Sequence, residues 1–223
     1  MFIEVITDNL SDSISTKNLN INRIELVKDL HLGGLTPDIE LTSQVCDNVT
    51  IPVNIMLRCH AESFTYSEND MQIMLRDLER IKKTKANGIV FGCLDASGNI
   101  DTHNLEKILA NKEHLKLTFH RAIDEAKDYQ KALSVLLSYD IDTILTSGTK
   151  TTAIDGLDNI NKAQQIVSNK IKILAGAGLK EDNIYSFIDN CKTQYIHLGT
   201  GARINNDFSK GFNKKFLDKL TYL

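Results

Sequence analysis

Two carboxylates stand inside short apolar runs, where an acidic side chain is unusual. Glu4 and Glu25 each lie between two aliphatic residues. Alternate side chains of a strand point to opposite faces, so the two carboxylates point away from the face that their aliphatic neighbours occupy. Burying a carboxylate costs several kcal/mol unless cations or hydrogen bonds meet it. We therefore expect Arg58, Arg121 or an imidazole as their partners, either for acid–base chemistry or in an ion-pair lattice that sets strand register.

Histidines follow the same alternation in later runs, and other charged residues close or follow such runs. His120 follows Phe119, and His197 lies between Ile196 and Leu198; these apolar neighbours would face the other way. Acid–base chemistry by an imidazole with a carboxylate, while arginines hold an anionic substrate, is the reaction type that this set predicts. The candidate catalytic residues are Glu4, Glu25, Arg58, Asp95, His120 and Arg121.

Glycines follow the last two apolar runs, in Ala175 to Gly178 and in Gly199 to Arg203. Backbone N–H groups of such loops bind anions in many barrels, although the same glycines also suit tight turns. A hydroxyl at the end of the sixth run could join them or cap the next turn. The candidate anion-binding residues are Ser147, Gly176, Gly178, Gly199 and Gly201.

Elements that bring these residues together can be read from the apolar runs. Short β-branched runs recur along the chain, each followed by a stretch of helical period, which is typical of parallel α/β architecture. A closed (β/α)8 TIM barrel is favoured over an open doubly wound sheet, because no GxGxxG or GxxxxGK[ST] motif is present. The eight runs are Phe2 to Thr7, Arg23 to Val27, Pro52 to Leu57, Gly88 to Leu94, Lys116 to Arg121, Thr143 to Ser147, Lys172 to Ala175 and Tyr195 to Gly199.

Helix starts are marked by capping residues between the runs. Thr36 before Pro37 predicts one start, and Ser67 with Asp70 predicts a capping box. Asp101 predicts a third cap, ahead of a helix from Thr102 to Ala110. No shift in composition suggests a linker, so we expect residues 1–223 to form a single domain.

Composition excludes several function classes. A net charge of −3 gives no electrostatic footprint for nucleic acid or an anionic membrane. No apolar stretch is long enough to span a membrane, and the amino terminus does not read as a signal peptide. The four cysteines show no CxxC spacing, which indicates reduced thiols in the cytoplasm. The missing GxSxG and HExxH motifs, and the absence of a lysine from the interior or the last residues of any predicted strand, argue against three common enzyme mechanisms.

A set of ordered motifs covers nearly the whole chain. The motifs are Asn22 to Leu26, Gly33 to Pro37, Phe64 to Ser67, Phe91 to Asp95 with Gly98, Thr118 to Ala122, Leu145 to Gly148 and Ala175 to Gly178. In their order and spacing they resemble the CutC family. The resemblance implies a cytoplasmic TIM barrel, usually a homodimer or larger homo-oligomer, with copper homeostasis as its assigned role and copper as a bound metal.

Two departures from the family pattern concern copper. Relatives often carry cysteines where this chain has Ile6 and Val27, and thiols are the natural ligands of copper(I). The family's Arg-Pro-Arg-Gly-Gly-Asp stretch is also altered, leaving Arg58 followed by Cys59 and His60. Those two residues are the candidate metal ligands, although neighbours at a strand end usually point to opposite sides.

Three functions remain open on this basis. The first is a copper-handling protein, which the family resemblance favours. The second is an enzyme that uses acid–base chemistry on a small anionic or phosphorylated metabolite, which the polar lumen and glycine loops favour. The third is a scaffold for protein contacts, which would leave many buried ionisable groups without a use.

Overall fold

A computed structural model describes residues 1–220 of the chain. Its eight strands are all parallel, each pairs with its neighbours in chain order, and β1 also pairs with β8 to close the barrel. The prediction of a TIM barrel is confirmed. The strands are β1 (Phe2–Thr7), β2 (Arg23–Leu26), β3 (Val53–Met56), β4 (Gly88–Phe91), β5 (Lys116–Phe119), β6 (Thr143–Thr146), β7 (Lys172–Gly176) and β8 (Tyr195–Leu198).

Eight α-helices follow the strands and cover the outside of the barrel. No helix within residues 1–220 is long and apolar enough to cross a membrane. The helices are α1 (Leu10–Ser15), α2 (Ile39–Asn48), α3 (Glu68–Ile81), α4 (Thr102–Asn111), α5 (Tyr129–Leu136), α6 (Leu157–Val167), α7 (Ile184–Asn190) and α8 (Lys214–Leu220).

Two of the three predicted helix starts are confirmed, and the third is wrong. Ser67 and Asp70 form a reciprocal capping box on α3, and Asp101 caps α4 through the N–H of Asn104. Thr36 does not start a helix, since α2 begins at Ile39. Its backbone N–H donates to the carbonyl of Arg58, and its Oγ1 accepts from the Arg58 N–H at 2.8 Å. Thr36 thus ties the loop after β2 to the chain after β3.

Strand register separates an apolar layer from a polar lumen. Ile3, Val5 and Ile24 are fully buried under the helices, whereas Glu4 lies beside His197 in the ladder between β1 and β8. The predicted alternation holds, because the Glu4 and Glu25 carboxylates both come within 3.3 Å of the His197 imidazole. The barrel therefore carries charged groups inside and gains its apolar burial from the strand–helix interface.

Candidate functional site

A cavity of about 260 Å³ opens at the carboxyl-terminal end of the barrel, which we call the upper cavity. Side chains that end or follow several strands surround it, together with the loops after β7 and β8. Barrel enzymes place their active sites at this end. Of the predicted residues, those that line it are Glu25, Arg58, His120, Arg121, Gly178, Gly199 and Gly201.

A buried cluster of four charged or titratable groups forms the floor of this cavity. The Arg23 Nε donates to the Glu4 carboxylate. Nδ1 of His197 lies 2.7 Å from Glu4 Oε1 and 3.3 Å from Glu25 Oε2. Glu25 Oε2 is buried and receives no hydrogen bond from the described residues. Glu4 is therefore held by both Arg23 and His197, whereas Glu25, which lines the cavity, has only the longer contact with His197 among the described ion pairs.

The two carboxyl groups have opposite pKa shifts. Burial raises the pKa of Glu25 from 4.5 to about 7, and the nearby Glu4 charge adds to the increase, against the opposing effect of His197. Burial would also raise the pKa of Glu4, but the Arg23 guanidinium and His197 lower it to about 2. Burial lowers the pKa of His197, yet the two glutamates outweigh burial and raise it. Such a split separates a permanent anion from a group that exchanges protons near neutral pH.

His120 is a neutral hydrogen-bond donor at the wall of the cavity. Burial, assisted by the Arg58 charge, lowers the pKa of His120 to about 3. Its Nδ1 accepts the backbone N–H of Ala122 at 3.2 Å, so the ring proton resides on Nε2. Nε2 is buried and has no partner among residues 1–220. The imidazole is thus able to donate one hydrogen bond to an oxygen in the cavity without carrying charge.

Two guanidinium groups bring positive charge to the same cavity. Arg58 is buried, stacks on the Phe64 ring at 4.6 Å, and leaves its Nε without a described partner. Arg121 keeps 44% of its side chain exposed and donates to Asp124 and Ser147, each at 2.9 Å. Neither arginine pairs with Glu4 or Glu25 within residues 1–220; of the expected partners, the His197 imidazole meets both carboxylates. Arg23 supplies the guanidinium partner instead. It lies two residues before Glu25 and therefore on the same face of the strand, so strand alternation could have identified it.

Four of the predicted catalytic and anion-binding residues lie outside the lining of the upper cavity. Glu4 lies beneath it in the buried cluster. Asp95 accepts the N–H groups of the turn that follows β4. The Ser147 Oγ lies 2.9 Å from Asp124 Oδ2 and 2.5 Å from the carbonyl oxygen of Lys150, and its one hydroxyl proton is donated to one of these two acceptors. Gly176 is packed so tightly that an added Cβ would lie 2.8 Å from a Leu145 methyl; its role is therefore steric.

Cys59 and His60 lie in a second cavity of about 550 Å³, between the loop after β3 and α3. The expectation that they point apart is wrong, because β3 ends at Met56 and both residues belong to the following loop. Their ligand atoms and a carboxylate oxygen of Asp70 all lie within 4.8 Å of one another. Burial raises the pKa of the Cys59 thiol to about 11. His60 Nδ1 has no hydrogen-bond partner in the described chain.

Comparison with known proteins identifies the family. The model of the CutC family matches residues 1–202. The chain belongs to the CutC family. A CutC family protein from Glaesserella parasuis is 35% identical over 99% of this chain and 87% of its own length. A copper homeostasis protein cutC homolog from Caenorhabditis elegans is 32% identical over 92% of this chain and 82% of its own.

Solved structures agree with this assignment. A Streptococcus agalactiae protein described as a copper homeostasis CutC superimposes with a TM-score of 0.83 and 26% identity, covering 89% of this chain and 98% of its own. Orotidine 5'-phosphate decarboxylase from Pyrococcus horikoshii, at 13% identity and a TM-score of 0.65, shares the fold, with 98% of this chain and 97% of its own covered.

Within this CutC chain, Ile6 and Val27 both line the upper cavity. The cavity wall is aliphatic there and offers no soft ligand for copper(I).

Proposed function

We propose that this CutC family member is an enzyme that transfers protons on a small anionic metabolite held in the upper cavity. The observation that carries the proposal is Glu25. Its side chain lines the cavity, its buried Oε2 lies 3.3 Å from His197 Nδ1 without receiving a hydrogen bond, and burial raises its pKa to about 7. A carboxyl group of that pKa takes up and releases protons at neutral pH, as general acid–base catalysis requires.

The remaining groups divide the work of binding and charge stabilisation. Arg58 and Arg121 attract the anionic group of the ligand and fix its orientation. Nε2 of His120 donates a hydrogen bond to a ligand oxygen on which negative charge develops. Glu25 removes the proton from the ligand, or returns it. Glu4 stays ionised beneath and positions the His197 imidazole against Glu25.

Binding is tested by thermal unfolding with two probe dianions, oxalate and 2-phosphoglycolate, at constant ionic strength. We expect a saturable rise in Tm that is lost in Arg121→Gln, because a ligand that binds only the folded state stabilises it. Lys162→Gln, which removes an exposed cation from α6, is the matched control and should bind as the unmodified protein does. Absence of saturable binding, or equal binding by Arg121→Gln, contradicts the proposal.

Proton transfer is tested without a known substrate. The protein is incubated in deuterated buffer with the small-molecule fraction of a cell extract, and mass spectrometry follows deuterium at carbon-bound positions of the anions. We expect incorporation with the unmodified protein and none with Glu25→Gln, whose amide cannot exchange a proton in this role. Equal incorporation by the two proteins would show that Glu25 does not transfer the proton.

Copper binding is the second candidate, supported by the grouping of Cys59, His60 and Asp70. A thiolate and an imidazole suit copper(I), whereas the carboxylate is a harder ligand. Asp70 already accepts two hydrogen bonds from Ser67 in the capping box. Cys59 and His60 would therefore hold the ion, which is the cargo in this reading, and the thiol must release a proton to do so.

Competition titration of copper(I) against a chromogenic chelator tests this second candidate. We expect the unmodified protein to take up one equivalent, with an affinity that rises about tenfold per pH unit below the thiol pKa. Cys59→Ser and His60→Gln should lose the binding, whereas Cys191→Ser should retain it. Identical copper(I) binding by Cys59→Ser and Cys191→Ser would show that the loop after β3 is not the copper site.

A further inference from the structure

A small opening lies at the amino-terminal end of the barrel, where the strands begin, opposite the upper cavity. It encloses about 80 Å³, and we call it the lower mouth. Its lining contains Arg23 from β2, Lys116 from β5 and Lys172 from β7. These are the first residues of three strands spread around the barrel. They line the same opening because the sheet closes into a barrel. The complete lining is Phe2, Asn22, Arg23, Pro52, Asn87, Lys116, Asp142, Thr143, Lys172 and Tyr195.

The three cations have few anionic partners inside the protein. Among the ion pairs of residues 1–220, Arg23 pairs with Glu4 through Nε. Lys116 and Lys172 take part in none of the described ion pairs, and the Lys172 ammonium lies 5.6 Å from the centre of the Tyr195 ring. Lys116 and Lys172 are exposed at the rim of the opening, and like charges that share one opening repel one another unless an anion neutralises them.

Arg23 provides the buried donor of the lower mouth. Only 8% of its side chain is exposed, and its Nη2 is buried without a hydrogen-bond partner in the described chain. An unsatisfied buried guanidinium nitrogen is costly. The guanidinium has one edge on Glu4 and stacks at 5.2 Å over the Phe2 ring, and this arrangement leaves Nη2 as a donor for a ligand.

The single carboxylate in the lining, Asp142, offsets at most one of the three positive charges. Asp142 Oδ2 accepts the backbone N–H of Leu117 at 2.8 Å, which anchors it to the start of β5. The volume sets the size of a ligand, since about 80 Å³ holds two or three water molecules at roughly 30 Å³ each. That space suits a single inorganic oxyanion.

We propose that the lower mouth binds one small inorganic oxyanion of the phosphate or sulfate type between Arg23, Lys116 and Lys172. Nη2 of Arg23 donates a charge-assisted hydrogen bond to it, and the two ammonium groups balance its charge. This site opens at the other end of the barrel from the upper cavity, shares the Arg23–Glu4 pair with the floor of that cavity, and does not rest on the function proposed there.

Titration with inorganic phosphate at constant ionic strength, followed by thermal unfolding, tests the site. Arg121→Gln serves as the background in every protein, because it removes an upper-cavity cation and leaves the lower mouth unchanged. In that background we expect phosphate to stabilise the protein with saturation. Lys172→Met should raise the Kd for phosphate roughly tenfold or more, because the loss of one charged hydrogen bond changes the binding free energy by that amount. Lys116→Met should behave in the same way, and Lys162→Met should leave Kd unchanged.

Location is checked with selenate, a sulfate analogue whose selenium gives an anomalous signal in crystals. We expect a peak in the lower mouth beside Arg23, and none there in Lys172→Met. Phosphate stabilisation that does not saturate, or that is equal in Lys172→Met and Lys162→Met, overturns the proposal. A peak confined to the upper cavity also overturns it, while leaving the function proposed for that cavity intact.

Discussion

Replacement of Glu25 by glutamine tests the electrostatics of the buried cluster. Folding raises the pKa of this carboxyl from 4.5 to about 7, so the folded protein binds the proton more tightly than the unfolded chain does. Its contribution to the unfolding free energy is complete below about pH 4.5 and is lost as the pH rises through about 7. One pKa unit corresponds to about 1.4 kcal/mol, and the loss therefore approaches about 3 kcal/mol at pH 8.

Glutamine resembles the protonated acid and does not ionise. We therefore expect Glu25→Gln to be more stable than the unmodified protein at pH 8, by up to about 3 kcal/mol, and about equally stable at pH 4.5. His197 acts in the same direction, because its raised pKa depends partly on the Glu25 charge. Without that charge the His197 pKa falls, and the variant loses less stability as the pH rises.

Urea unfolding at pH 4.5, 6, 7 and 8 measures the difference between the two proteins. Glu4 is present in both, so its own contribution, which is lost as the pH falls from about 4.5 to about 2, largely cancels. Glu62→Gln, an exposed loop change, is the control and should follow the unmodified protein at every pH. Parallel curves for Glu25→Gln and the unmodified protein, or a variant less stable at pH 8, would refute this account of the cluster.

Three further substitutions test other parts of the structure. Ser67→Ala removes the N-cap of α3 and should lower the unfolding free energy in urea by about 1 kcal/mol. Gly201→Ala would place a Cβ 1.9 Å from the Leu179 carbonyl oxygen, so the two loops must separate; we expect a lower Tm and weaker probe binding, measured together. Arg203→Met leaves Asp12 without the guanidinium that lies 2.6 Å away, and should cost about 3 kcal/mol in urea unfolding, whereas unchanged stability would contradict a structural role for this fully buried arginine.

Local sequence was sufficient to predict the barrel and the direction of its polar side chains. Each apolar run overlaps one observed strand. A β-branched run or a helical period is formed by residues that are close together in the sequence, so it can be recognised without the tertiary structure. Alternation placed Glu4 and Glu25 in the lumen, since side-chain direction along a strand has a period of two. The capping box at Ser67 also depends on contacts only three residues apart. These features need no knowledge of the distant parts of the chain.

Pairing between side chains from different strands was decided by the tertiary structure. Glu4 meets His197 across 193 positions of sequence, and that contact exists because β8 closes against β1. The same closure brings Arg23, Lys116 and Lys172 to one opening. Thr36 has the local pattern of a helix start, yet hydrogen bonds to Arg58 hold it in a loop. Sequence fixes which way a side chain points, whereas strand stagger and barrel closure determine which charge it meets and, through burial, the pKa that results.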